Sequence, residues 1–199
     1  SNLEVSTIFD LVRFKILQFN GNATGKAEIS SLLSAPEING RFKIDSFKID
    51  NGYLGRTDLN IGWDNSYKSI TLDAEIRNDS GKVSTVNGFL SQANDTIHLD
   101  IEADELNAVF INKLTRSFIT DIDGTANGKV SILGKWRKID LKGAVSLNCG
   151  ARLVHTNVKY RFHGDSLFFT NGRFFFNEAM VTDRRGNKGW LSGEVTHRN

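Results

Sequence analysis

The sequence predicts a mostly β protein assembled from two tandem units of antiparallel strands. Glycine is frequent at 18 and phenylalanine at 14, while proline occurs once, as Pro36, a balance that suits many short strands joined by tight turns. Apolar and polar residues alternate with a period of two along several stretches. A pattern of glycines and apolar residues also recurs at a fixed spacing, which marks a repeat.

In chain order, Ile8, Leu11, Val12, Ile16 and Phe19 recur at spacings of one, three or four and predict a short amphipathic helix. In "RFKIDSFKID" the apolar phase slips between Ile44 and Phe47, which predicts a bulge or bend near Ser46. Leu72, Ala74 and Ile76 alternate with Asp73, Glu75 and Arg77. Ile97, Leu99, Ile101 and Ala103 do the same with His98, Asp100 and Glu102, so each stretch is a strand with one apolar and one wet face. A second amphipathic helix is predicted from Leu106 through Val109, Phe110, Leu114 and Phe118. Val158, Tyr160 and Phe162 resume the strand pattern against Lys159 and Arg161.

The repeat ties these elements together. Leu3, Ile8, Leu11, Gly21, Gly25 and Gly40 each reappear 103 positions later, as Leu106, Ile111, Leu114, Gly124, Gly128 and Gly143. Towards the end of each copy the offset grows to 105, with Gly81 matching Gly186 and Gly88 matching Gly193, as a two-residue loop insertion explains. The units divide at 1–103 and 104–199, each a helix followed by a strand meander and both expected in one continuous sheet, because one such unit cannot cover its own apolar face.

"FFTNGRFFF", residues 168–176, carries the densest aromatic surface. Asn171-Gly172 suits a two-residue type I′ turn, which sets Thr170 opposite Arg173, Phe169 opposite Phe174, Phe168 opposite Phe175 and Leu167 opposite Phe176. Leu167, Phe169, Phe174 and Phe176 then share one strongly apolar face. Either the sheet closes on itself as a sandwich, or it forms an open trough that holds apolar material from outside.

Bulk properties exclude several function classes. The chain has 199 residues, 39% hydrophobic and 24% charged, enough for a substantial core in one large or two small domains. Net charge is +2 and the pI about 8.7, with scattered Lys and Arg, so there is no electrostatic footprint for nucleic acid or an anionic membrane surface. The one small basic group, Lys135, Arg137 and Lys138 around Trp136, reads as a solvated turn. A single cysteine, Cys149, precludes an internal disulfide framework and sits in phase with Val145 and Leu147 as a buried thiol. No run reaches the roughly 18 apolar residues of a membrane span. The sequence opens Ser-Asn, and an excerpt of a longer protein with its targeting segment elsewhere is expected. His98 lies on a polar phase, and His155, His163 and His197 have no Cys or His at metal-ligand spacing. Asp121 and Asp123 flank Ile122 and read as turn or strand-edge residues, without a nucleophile motif such as Gly-x-Ser-x-Gly. Trp63, Trp136 and Trp190 fall near turns or strand starts and form no sugar-stacking platform. No enzyme activity, metal or cofactor is assigned.

The strings "DIDGTANGKVSILGKWRKIDLKGAVSL" (121–147) and "GDSLFFTNGRFFFNEAMVTDRRGNKGWLSGEVTH" (164–197), preceded by "LNAVFINKLTRSFIT", resemble the repeat of the TamB-type, AsmA-like family. The shared features are Gly124 and Gly128, Gly143, the strand pair around Asn171, then Asp183, Gly186-Asn187 and Leu191-Ser192-Gly193. The resemblance implies a curled antiparallel sheet, a β-taco or open solenoid-like trough, apolar on its concave face. It also implies a periplasmic segment of an inner-membrane-anchored protein of Gram-negative bacteria, with the anchor outside this chain and an outer-membrane barrel of the Omp85 class as partner. Phospholipid transfer, or shielding of outer-membrane protein segments, is the implied task. Candidate groove-lining residues are Phe42, Ile44, Leu72, Ile76, Ile97 and Leu99 in the first unit and Val145, Leu147, Leu167, Phe169, Phe174 and Phe176 in the second. An acyl chain crossing water exposes methylenes at ~0.8 kcal/mol each, so a continuous apolar trough removes most of that barrier. The competing readings are a structural or adhesive repeat with a closed core, and an enzyme on a β scaffold, for which no convincing acid cluster is present.

Overall fold

The computed structural model describes residues 2–4, 18–30, 37–91, 93–112, 116, 119–135, 138–170 and 172–196. Thirteen strands form one antiparallel sheet: β1 (Asn2–Glu4), β2 (Phe19–Ser30), β3 (Glu37–Ile49), β4 (Gly52–Asp64), β5 (Ser69–Arg77), β6 (Val83–Ser91), β7 (Thr96–Asn107), β8 (Ile119–Lys135), β9 (Lys138–Leu153), β10 (Val158–Phe162), β11 (Asp165–Thr170), β12 (Arg173–Thr182) and β13 (Lys188–Thr196). From β1 to β9 each strand pairs with the next in the chain. The alternations read in β5, β7 and β10 lie on strands, as expected.

β9, β10, β12 and β11 close a ring of four pairings. Their registers explain the ring. Along β12 the pairing runs from Thr170 opposite Arg173 through Leu167 opposite Phe176 to Phe162 opposite Val181 and Arg161 opposite Thr182 without a slip. Along β9 it runs from Gly143 opposite Phe169 to Leu147 opposite Asp165 and Gly150 opposite Arg161, slipping by one residue at the junction. β10 and β11 therefore lie end to end, two stretches of one kinked strand between β9 and β12. The kink falls at His163-Gly164, where the Gly164 N–H donates to the Leu147 carbonyl.

The first predicted helix and much of the second fall outside the described residues. Residues 5–17 lie outside the described set, and Phe19 opens β2. Leu106 belongs to β7, opposite Ala126; a 3-10 turn follows at Val109–Ile111, Asn112 is helical, and Leu114 and Phe118 lie outside the described residues. A bulge precedes Leu106. Glu105 adopts φ 51°, and the register slips between Ala103 and Leu106, so an apolar spacing of three arises inside a strand.

Such bulges recur. Ser46 (φ 55°) bulges β3 between Ile44 and Phe47, as the phase slip predicts, and Asp121 (φ 52°) and Glu178 (φ 50°) do the same in β8 and β12. Asp121 and Asp123 are thus strand residues, not turn residues. Asp121 pairs with Arg152 Nε at 2.7 Å and Asp123 with Lys159 Nζ at 2.6 Å, crossing to β9 and β10.

Two clusters hold the buried core. One gathers Ala23, Phe42, Ile44, Phe47, Leu54, Leu59, Ala74, Ile76 and Leu106. The other gathers Ala108, Ile119, Ile122, Ala126, Val145, Leu147, Cys149, Ala151, Phe162, Ala179 and Val181. Leu106 on β7 joins Leu54 on β4, although β5 and β6 lie between those strands. Pairings in the two halves share a spacing of 103: Ala23 opposite Ile44 and Gly25 opposite Phe42 in one, Ala126 opposite Leu147 and Gly128 opposite Val145 in the other.

Candidate functional site

Directly opposed residues of neighbouring strands point to the same face, so pairing registers trace rows across the sheet. One row starts at Gly25 and passes through Phe42, Leu59, Ala74, Val86 and Ile101. It continues through Val130, Gly143, Phe169 and Phe174 to Val195 on β13. Every member is apolar or glycine. At about 4.8 Å per strand the row runs roughly 48 Å, longer than the ~30 Å hydrocarbon core of a bilayer.

Parallel rows flank it. Gly40, Ile61, Leu72, Gly88, Leu99, Ile132 and Leu141 form one. Ile44, Thr57, Ile76 and Ser84 form another, which resumes on the other half of the sheet as Ala103, Gly128, Val145, Leu167, Phe176 and Gly193. Beyond Leu72 and Leu99 lies a fourth row, Trp63, Ile70, Leu90, Ile97, Gly134 and Ile139.

All twelve residues singled out in the sequence fall on this face. Phe42, Ile44, Ile76, Ile97, Val145 and Leu147 are buried, whereas Leu72, Leu99, Leu167, Phe169, Phe174 and Phe176 are half-buried. Coverage is uneven. In the row through Ile61, Leu72, Leu99, Ile132 and Leu141 each of these side chains keeps partial access to solvent, while Ile44 and Ile97 on either side of it are closed off. Ile61, Val86, Ile101, Val130, Ile132 and Leu141 belong to the face as well but were not singled out. The sequence signal for Val130 and Ile132 was their alternation with Lys129 and Ser131.

The aromatic hairpin has the predicted register, with Thr170, Phe169, Phe168 and Leu167 opposite Arg173, Phe174, Phe175 and Phe176. Asn171 lies outside the described residues; Gly172 has φ 69°, and its N–H donates to Asp140 Oδ1 at 2.7 Å. On the apolar face Phe169 and Phe174 meet edge to face at 5.5 Å, and Phe176 stacks on Phe162 at 5.1 Å. On the opposite face Phe168 and Phe175 stack on each other at 5.2 Å.

No protein-family model, curated protein or solved structure matches the chain. The chemistry of the face must therefore be read from the face itself.

Its electrostatics are one-sided. Charged side chains pair across strands on the opposite face, as in Lys129 with Glu102 at 3.0 Å and Arg173 with Glu194 at 3.4 Å. There Lys159 donates to Asp123 and, with the Gly150 N–H, holds its carboxyl below the usual carboxylate range. A lowered carboxyl pKa adds stability above the ordinary value, and that stability is lost as pH falls through the lowered value. Asp123→Asn is therefore expected to lower the urea midpoint at neutral pH, by less than about 1 kcal/mol for this half-exposed pair, and to match the parent in strong acid. His98 bonds Asp100 at 3.2 Å, His163 bonds Thr182 at 2.9 Å, His155 is exposed and His197 lies outside the described residues. Among the described residues no group of three His, Cys, Asp or Glu could hold a metal ion, and no helix is long and apolar enough to cross a membrane. Cys149 is buried, as its phase predicts, and desolvation pushes its thiol up to about 11. Trp63, the penultimate residue of β4, donates to Asn65, Trp190 stands exposed on β13, and Trp136 lies outside the described residues.

Polar side chains interrupt the apolar face at places: Ser84, opposite Ile76, bonds the Asp104 backbone, and Asp165, opposite Leu147, accepts from the Met180 N–H. Thr57 Oγ1, between Ile44 and Ile76, is buried without a hydrogen-bond partner. Removing such a hydroxyl removes its desolvation cost, so Thr57→Val is expected to raise stability by about 1 kcal/mol in urea denaturation.

Proposed function

We propose that this chain is a segment of a TamB-type, periplasm-spanning bridge protein, built from two repeat units, whose apolar sheet face carries phospholipid acyl chains between membranes. The observation that carries this reading is the unbroken row from Gly25 to Val195, free of charge and half-open over Val86, Ile101, Val130, Phe169 and Phe174. Aliphatic and phenyl surfaces bind methylenes without directional hydrogen bonds, which suits a ligand that slides. The contact of Leu106 with the β4 cluster across two intervening strands supports a sheet that curls towards this face. An inner-membrane anchor outside these residues and an outer-membrane barrel of the Omp85 class complete the proposed bridge.

The test is native mass spectrometry with lipid extraction on the protein purified gently from a Gram-negative host. Bound phospholipid is expected, and Phe169→Asp with Phe174→Asp should abolish it while the far-ultraviolet β signal is retained. A lipid-free species that also ignores added fluorescent phospholipid overturns the proposal and makes the face the core of a structural repeat.

A further inference from the structure

We propose that the face of the sheet opposite the apolar rows carries, at the corner between the β9–β10 and β12–β13 turns, a docking surface for the anionic headgroups of a phospholipid bilayer. The inference goes beyond the bridge reading and does not depend on what the apolar face binds.

Lysines and arginines that are scattered along the sequence meet here through strand pairing. Arg152 on β9 stands opposite Lys159 on β10. Arg161, two residues further along β10, stands opposite Thr182 on β12, which in turn stands opposite Lys188 on β13. Tyr160 and Phe162 alternate with these cations and belong to the apolar face, where Phe162 is buried. The β12–β13 turn adds Arg184 and Arg185, both exposed, at the same end of the sheet, because the end of β12 lies beside β10. Six cations thus share one corner of a chain whose net charge is only +2.

The acids of this corner are already engaged. Asp121 pairs with Arg152 at 2.7 Å and Asp123 with Lys159 at 2.6 Å, and Asp123 also accepts from the Gly150 N–H. Asp183 closes its own turn, where its carboxylate accepts from the Arg185 and Asn187 N–H groups and from Asn187 Nδ2. Arg161, Arg184, Arg185 and Lys188 are exposed and form no ion pair among the described residues. The next acid along β12, Glu178, lies beyond Met180.

Apolar groups stand uncovered beside these cations. Trp190, on the same face as Lys188 and opposite Met180, is 74% exposed, and Val154 in the β9–β10 turn is 41% exposed. Tryptophan among lysines and arginines suits the boundary between headgroups and water. A guanidinium presents two parallel N–H donors to the oxygens of a phosphate, and an ammonium adds a point charge. The cations lie along strand surfaces and on a turn tip, and the shape they match is an extended plane of phosphates, as an anionic bilayer presents. A bilayer also takes up Trp190 and Val154, for which an acidic peptide offers no apolar partner.

The experiment sediments the whole protein with vesicles of equal parts phosphatidylglycerol and phosphatidylcholine, and with vesicles of phosphatidylcholine alone. Binding to the mixed vesicles is expected, weakened by salt, with a blue shift of tryptophan emission that Trp190→Phe removes. Arg184→Ser, Arg185→Ser and Lys188→Ser together should keep the far-ultraviolet β signal and lower binding by at least about tenfold. Lys26→Ser, Arg41→Ser and Lys43→Ser, an equal loss of exposed charge on β2 and β3, should leave most of it. Phe169→Asp with Phe174→Asp, which tests the lipid-carrying face, should leave it as well, so the two proposals fail separately. Binding to neither vesicle, equal binding to both, an equal loss from the β2–β3 variant, or loss through Phe169 and Phe174 overturns the proposal. So does polyglutamate in solution that shifts Trp190 as far as the vesicles do, which assigns the corner to an acidic protein segment.

Discussion

Gly88→Val is expected to destabilise the protein by about 3 kcal/mol or more, from backbone strain added to overpacking. Gly88 has φ 150°, and any Cβ there strikes the His98 carbonyl and crowds Leu99 Cα, so β6 and β7 must part. Those strands sit in the middle of the sheet, and separating them unseats Leu90 and Ile97 together. Urea denaturation checks this directly. Gly193→Val, at a β13 glycine whose φ lies outside the left-handed region, is the control and is expected to stay within about 0.5 kcal/mol because its new side chain meets nothing within 4 Å. Equal losses for the two variants would mean that neither the φ of Gly88 nor the close approach of β7 sets the cost.

Phe162→Ala should cost about 3–5 kcal/mol, the range for deleting a buried aromatic ring. Phe162 is 1% exposed, stacks on Phe176 and sits at the end of β10, beside the kink. Its loss opens a cavity where β9, the kinked strand and β12 meet. Against a typical total of 5–15 kcal/mol, the variant should show a sharply lower urea midpoint. Phe168→Ala on the other face supplies the comparison: that ring is half-buried, and its removal should cost about 1 kcal/mol.

The strands were legible wherever their alternation ran unbroken. Leu72 to Ile76 and Ile97 to Ala103 came out in phase, and the hairpin around Gly172 in register as well, because a period of two leaves one choice of face. The bulge near Ser46 was legible for the same reason, as one slip in an otherwise regular run. One bulge also hid the end of a strand. The extra residue at Glu105 sets Leu106 three positions after Ala103, so the last apolar residue of β7 read as the first of a helix. Asp121 and Asp123 read as turn or strand-edge residues because aspartates before glycine usually are; here they lie within β8, held by Arg152 and Lys159 from β9 and β10. Half of the apolar face was overlooked for a related reason. Ile61 and Val86 stand close to Gly62 and Gly88, which break up the pattern locally, and only the cross-strand rows show that they continue it.

The order of strands in space follows the order of strands along the chain, apart from the kinked pair. In time, this means that hardly any strand waits for a distant one to be made. Each hairpin can settle against the strand finished just before it, so closing contacts requires only short loops and little entropy at every step. A chain emerging from its N-terminus can fold as it arrives, leaving one edge open at a time instead of a whole unpaired sheet.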